Sequence, residues 1–157
     1  MSDPERRETA LISLGGSILA PETIDPSFVS GMAGLFARLA SNRRLIVVTG
    51  GGRTARNYIG AGRDLGASEF FLDEMGIAAS RLNARLLMCA LGPLAPPKVP
   101  ESMPETLALS ALYPVVVCGG SHPGHTTDAV AALLAEAAGA SVLVNATSVD
   151  GVSDKDP

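Results

Sequence analysis

A chain of 157 residues, 46% of them hydrophobic, carries enough apolar surface to bury the core of one domain, which excludes a disordered polypeptide. Aromatic residues make up 4% and Trp is absent, so that core has to be aliphatic, as it is where helices pack on a buried sheet. The net charge of −4, with Lys98 and Lys155 the only lysines, argues against a nucleic-acid partner. The longest apolar stretch, around Ala129 to Val144, is broken by Glu136 and Gly139, and the polar N-terminus lacks a signal core, so no membrane segment is predicted and a cytoplasmic location is expected. Cys89 and Cys118 lie far apart inside apolar runs and read as reduced core residues.

In chain order, β-type apolar runs are predicted at Thr9 to Leu14, Arg44 to Thr49, Tyr113 to Cys118 and Ser141 to Asn145. None alternates between polar and apolar positions, the pattern of strands covered by helices on both faces of a parallel sheet. Helical patterns separate them. The first, Pro26 to Ala40, puts Phe28, Met32, Leu35, Phe36 and Leu39 on one stripe and starts at Asp25 and Pro26. Others run over Arg53 to Asp64, Phe70 to Leu91 and Thr126 to Ala138. Gly92 to Pro104 holds five prolines and is read as a surface connection rather than a domain linker, because the strand, loop, helix and strand that follow would extend the same sheet. The prediction is a single α/β domain over residues 1–157.

Three of the strands run directly into glycines: Gly15 and Gly16, then Gly50, Gly51 and Gly52, then Gly119 and Gly120. In a parallel sheet the carboxyl ends share one edge, where glycine lets backbone N–H groups approach a ligand and helix N-termini favour anions. One such turn is commonplace; three together point to phosphate. The dinucleotide and P-loop glycine patterns are both absent, so the site is of another kind.

The segment GGSHPGHTTDAVAALLAE, from Gly119 to Glu136, resembles the acceptor-nucleotide segment of archaeal-type UMP kinases in the amino acid kinase superfamily. SLGGS (Ser13 to Ser17), GGGRTAR (Gly50 to Arg56), FLDEMGIAASRLNA (Phe71 to Ala84) and TSVDGVSDKDP (Thr147 to Pro157) occur in the family's order. The resemblance implies a three-layer αβα sandwich on a mainly parallel sheet, with the chain stopping inside the ATP-binding part. It also implies transfer of the γ-phosphoryl group of MgATP to UMP, giving UDP for pyrimidine nucleotide biosynthesis, by a homohexamer.

Residue by residue, the resemblance sets the ATP phosphates near Ser13, Leu14, Gly15, Gly16 and Ser17, with Gly52 and Arg56 between the nucleotides. Thr147, Ser153 and Asp156 match the start of the ATP-binding loop. Ser13 stands where the superfamily has a Lys and Ser153 where the family commonly has a Tyr. Gly51 is implied to contact UMP, Asp73 to hold its ribose, and Ser121, His122, Pro123, Gly124, His125, Thr126 and Thr127 to surround its phosphate. A carboxylate suits two ribose hydroxyls, although Asp73 could also act only on its helix dipole. Arg56 is the candidate catalytic residue because a guanidinium grips phosphate oxygens through two bonds. Arg53, one helical turn away, is the alternative, and either could simply be solvated. Thr126 or Thr127 could serve as a helix cap alone. His122 and His125 have no third ligand at a recognisable spacing, so no metal site is assigned.

In-line attack by a phosphate oxygen needs no general base, which suits a site of amides, hydroxyls and Arg. The rivals are a superfamily kinase acting on a carbamate, carboxylate or isoprenoid phosphate, and a noncatalytic nucleotide-binding or storage homologue. The 157 residues alone are expected to show little phosphoryl transfer, and the Pro26 to Ala40 and Phe70 to Leu91 helices, with more apolar positions than one sheet face needs, to mediate self-association.

Overall fold

A computed structural model describes residues 7–148. In chain order these form β1 (Thr9–Leu14), α1 (Gly16–Leu19), α2 (Pro26–Leu39), β2 (Arg44–Thr49), α3 (Gly52–Asp64), α4 (Glu69–Leu91), α5 (Met103–Ser110), β3 (Val115–Cys118), α6 (Thr127–Ala137) and β4 (Val142–Ala146). The strands lie in the order β3-β2-β1-β4 and every pairing is parallel. Leu11 sits opposite Ile46, and Ile46 opposite Val116, so side chains in step along the row share a face.

That period of two divides the core. Ala10, Ile12, Leu14, Leu45, Val47, Val115 and Val117 face α2 and α4, where Val29, Ala33, Phe36, Ala84, Leu87 and Leu91 complete one cluster. Leu11, Ile46, Val48 and Cys118 point the other way, onto Val130, Ala131 and Leu134 of α6. The result is the expected three-layer αβα sandwich, with α3 packed outside α4. Burial pushes the Cys118 thiol up to about 12, leaving it an inert core group.

Local signals set the helix ends. The Asp25 carboxylate accepts from the amides of Ser27 (2.8 Å) and Phe28 (3.3 Å), and Pro26 follows in the first turn. These bonds, the Ser27 hydroxyl's foremost, hold the Asp25 carboxyl below its ordinary range. Ser68, Ser102 and Thr126 cap α4, α5 and α6 in the same manner.

Three readings need correction. The buried face of α2 is Val29, Ala33 and Phe36, whereas Phe28, Leu35 and Leu39 are more than a third exposed. The two apolar stripes lie side by side, and small Ala33 allows the close approach that hydrophobicity alone does not reveal. Gly92 to Pro104 is also more than a surface connection. Ala95 and Val99 enter the core, and Ser102 starts α5, which accommodates Pro104 in its first turn, where no amide donor is required. Finally, Cys118 is buried as expected but Cys89 is exposed, because it lies off the core-facing row of α4 formed by Ala84, Leu87, Met88 and Leu91.

Phe36 is 1% exposed at the centre of the larger cluster. Phe36→Ala should cost about 3 to 5 kcal/mol, a large share of a typical domain's stability, and denaturant unfolding should show a correspondingly lower midpoint.

Candidate active site at the carboxyl edge of the sheet

Parallel pairing brings the three glycine loops to one edge, and the first two interlock. The Gly15 amide donates to the Ala146 carbonyl at 2.8 Å and the Gly50 amide to the Leu14 carbonyl at 3.0 Å. A Cβ on Gly16 would run into Gly52 N and lie 2.6 Å from the Gly50 carbonyl carbon. Gly52 has φ +60°, a left-handed conformation that favours glycine, just where α3 begins. Backbone therefore packs on backbone between the loops.

Helix α4 braces the edge from beside it. The Thr49 hydroxyl donates to the Ser80 carbonyl at 2.8 Å, and the Asn83 amide group donates to the Gly50 carbonyl at 2.8 Å. The Ser80 hydroxyl donates to the Ile77 carbonyl (2.7 Å) and accepts from the Gly120 amide (2.8 Å). All three side chains are buried, so each bond also satisfies a group that would be costly to leave unpaired. Next along α4, Arg81 bonds to the carbonyls of Gly120 (3.1 Å) and Glu101 (2.9 Å).

Between α3, α4 and the third loop lies a cleft of about 180 Å³. It gathers Gly51, Asp73, His122, His125 and Thr127, which come from three separate stretches of sequence. Ala55, Ile59, Gly76 and Ile77 supply an apolar wall. Asp73 lies in the second turn of α4 and accepts from the Gly124 amide at 2.7 Å, where Gly124 has φ +84°. One carboxylate oxygen thus secures the loop and the other remains available to a ligand. Thr126 caps α6 by accepting from the Ala129 amide at 3.1 Å, whereas Thr127 lines the cleft.

On the other side of the interlocked loops, Ser13, Ser17 and Thr147 converge. The Ser13 hydroxyl donates to Asp128 Oδ1 at 2.7 Å, tying the first loop to the start of α6. Ser17 and Ser148 share a hydroxyl hydrogen bond of 3.1 Å, and the Thr147 Cα lies 3.7 Å from where a Gly15 Cβ would be. Ser153 and Asp156 lie outside the described residues. Arg56 is exposed on α3 beside Ala55, at the margin of the cleft rather than in its lining, whereas Arg53 pairs with Glu22 at 2.9 Å. His122 and His125 share the cleft wall, and among the described residues no cluster of three or more His, Cys, Asp or Glu residues is placed to hold a metal.

Sequence reasoning did not assign Thr49, Ser80, Arg81, Asn83 or Asp128. For Ser80 and Asn83 a signal existed: polar residues three apart on the otherwise apolar core row of α4. Asp128 follows directly on the His-Thr-Thr run, but its partner Ser13 is 115 residues away. Because the contacts at Gly16 are with backbone that cannot rotate aside, Gly16→Ala should destabilise the fold by about 1 to 3 kcal/mol. Denaturant unfolding of the variant should show this directly.

Residues 8–157 match the model of the amino acid kinase family. The chain is 49% identical over 147 residues to the uridylate kinase of Methanothermobacter thermautotrophicus and 52% identical over 147 residues to that of Archaeoglobus fulgidus, covering 94% of this chain and 65% of each relative. It thus spans just under two thirds of the length of these curated relatives. The crystal structure of the Archaeoglobus fulgidus uridylate kinase superposes with a TM-score of 0.87 at 51% identity, over 94% of this chain and 67% of that one. Two more distant structures share the fold: the UMP kinase of Ureaplasma parvum (TM-score 0.76, 22% identity, 97% of this chain and 72% of that one) and the aspartate kinase of Synechocystis (TM-score 0.69, 19% identity, 92% and 28%). With the glycine loops, the layered sheet and a family match over residues 8–157, the chain belongs to the amino acid kinase family.

Proposed function

We propose that the full-length protein is a uridylate kinase that transfers the γ-phosphoryl group of MgATP to UMP, with the Asp73 cleft as the acceptor site. The observation that carries this reading is the meeting of Gly51, Asp73, His122, His125 and Thr127 in one small cleft beside three glycine turns. A nucleoside monophosphate needs a carboxylate for its ribose, an apolar wall for its base and amides with hydroxyls for its phosphate. The cleft offers each of these groups. The similarity to curated uridylate kinases supports UMP as that nucleotide.

ATP would lie across Ser13, Leu14, Gly15, Gly16 and Ser17 and beside Thr147, with Gly52 at the junction. Mg²⁺ would enter bound to the ATP phosphates, its usual ligands in such sites. The acceptor phosphate is already a nucleophile, so catalysis is alignment and charge neutralisation. Arg56, exposed at the cleft margin, would swing onto the phosphates once both nucleotides are in place. A cytoplasmic location and a place in pyrimidine nucleotide synthesis accompany this reading; among the described residues no helix is long and apolar enough to cross a membrane.

In the full-length protein, Asp73→Asn should weaken UMP binding by about 1.5 to 3 kcal/mol, the range for a hydrogen bond to a charged group, while the amide oxygen can still accept from Gly124. A coupled assay with UMP and ATP, run beside UMP titrations, is the measurement. Unchanged UMP affinity would remove Asp73 from the site, and UMP binding without turnover would favour the noncatalytic homologue.

Self-association belongs to the same proposal. Tyr58, Phe70, Phe71 and Leu82 are each about two thirds exposed on α3 and α4, and Phe28, Leu35 and Leu39 lie exposed on α2. These apolar faces support a homo-oligomer, with six subunits expected from the family resemblance. Light scattering on the full-length protein should show a mass several times that of the subunit, and a monomer at working concentration would refute it.

A further inference from the structure

The hold of α4 on the third glycine loop has a directional consequence. Arg81 Nε donates to the Gly120 carbonyl at 3.1 Å, and Nη2 reaches the Ser121 carbonyl at 3.5 Å and the Glu101 carbonyl at 2.9 Å. Its other terminal nitrogen, Nη1, lies 3.5 Å from the Glu101 carboxylate. Two successive carbonyls are therefore turned toward one guanidinium. All the described peptide bonds are trans, and in a planar trans peptide the C=O and the following N–H point in opposite directions. The amides of Ser121 and His122 are consequently aimed away from Arg81.

That direction leads to the cleft. Gly120 and His122 line the cleft that holds Asp73, while Glu101 and Ser121 line a separate depression on the Arg81 side. Among the described residues neither the Ser121 nor the His122 amide has a hydrogen-bond acceptor, so both are free to receive an anion. Ser80 secures the preceding peptide, between Gly119 and Gly120, by accepting from the Gly120 amide.

We propose that Arg81 is the positioning residue of the acceptor-phosphate loop: by drawing the Gly120 and Ser121 carbonyls outward it presents the Ser121 and His122 amides to the phosphate of the acceptor nucleotide. This rests on the reading of Ser121 to Thr127 as the phosphate loop. Arg81 itself touches neither nucleotide. Its planar fork spans several acceptors at once, which the single ammonium of a lysine does not reproduce. Gly120, with no Cβ, allows the peptide plane that follows it to turn once that fork is removed.

The test compares UMP with uridine, which lacks the phosphate, by NMR titration of the full-length protein as wild type, Arg81→Lys and Arg81→Ala. UMP affinity should fall by about tenfold or more in both variants, as expected for losing bonds to a charged group. Uridine affinity and KM for ATP should stay unchanged. A purely structural role would loosen UMP and uridine in proportion, and that result, or UMP binding equal to wild type, overturns the proposal. If Arg81→Ala does not fold, Arg81→Lys, which keeps the charge and most of the bulk, decides the matter. A wild-type protein that binds uridine but gains nothing from the phosphate overturns the phosphate-loop reading itself, a result distinct from any difference between variants.

Discussion

Everything at the carboxyl edge of the sheet depends on how closely α4 approaches the ends of β2 and β3. A Cβ on Gly119 would lie 2.6 Å from Ser80 Oγ and 2.7 Å from Arg81 N, so helix and strand end are nearly in backbone contact. At that distance there is no room for water, and the polar groups between them must satisfy one another. Thr49, Ser80 and Asn83 do so with four carbonyls and amides drawn from two loops and one helix. The loops are consequently held as parts of the core rather than as appendages on its surface.

The same helix separates two environments. Its inner face carries the buried row down to Leu91, its first turns carry Asp73 and the cleft, and its outer face carries exposed Phe70, Phe71 and Leu82. On the opposite face of the sheet, α6, capped by Thr126, receives the bond from Ser13 to Asp128. The interlocked turns at Gly16, Gly50 and Gly52 thus lie between α4 on one face of the sheet and α6 on the other. The proline-rich connection contributes as well. Lys98 pairs with Glu105 at 2.8 Å, a bond that raises the one and lowers the other, and the Glu105 carboxylate accepts from the Glu101 amide at 2.9 Å, fixing the segment that Arg81 grips.

Much of this was legible from the residues. Continuous apolar runs led to a parallel sheet because only strands covered on both faces tolerate them, and the four predicted strands lie within two residues of those observed at each end. Of the residues that line the cleft, His122, His125 and Thr127 lie in the long His-Pro-Gly-His-Thr-Thr-Asp segment, and Gly51 and Asp73 in two other motifs singled out in the sequence. What was not legible has physical causes. Helix α5 follows four prolines, carries a fifth in its first turn and spans only eight residues, too few for a period to emerge. The orientation of α2 depended on which of two adjoining apolar stripes came closer to the sheet, a matter of shape. The roles of Ser80, Arg81 and Asp128 depend on partners 39 to 115 residues away, which no local pattern encodes.

The backbone-on-backbone packing of Gly16 against Gly50 and Gly52 also bears on when disorder is lost. A side chain that closes on a ligand gives up rotamers at the moment of binding, whereas these turns have no rotamers to give up. Glycine surrenders the most backbone freedom of any residue on folding, and here it does so as the fold forms. The entropic cost of assembling this edge therefore falls on folding. Under the proposed function, a ligand meeting this edge would encounter amides already ordered, and the stability given up to order them would return as affinity and as geometry held ready for reaction.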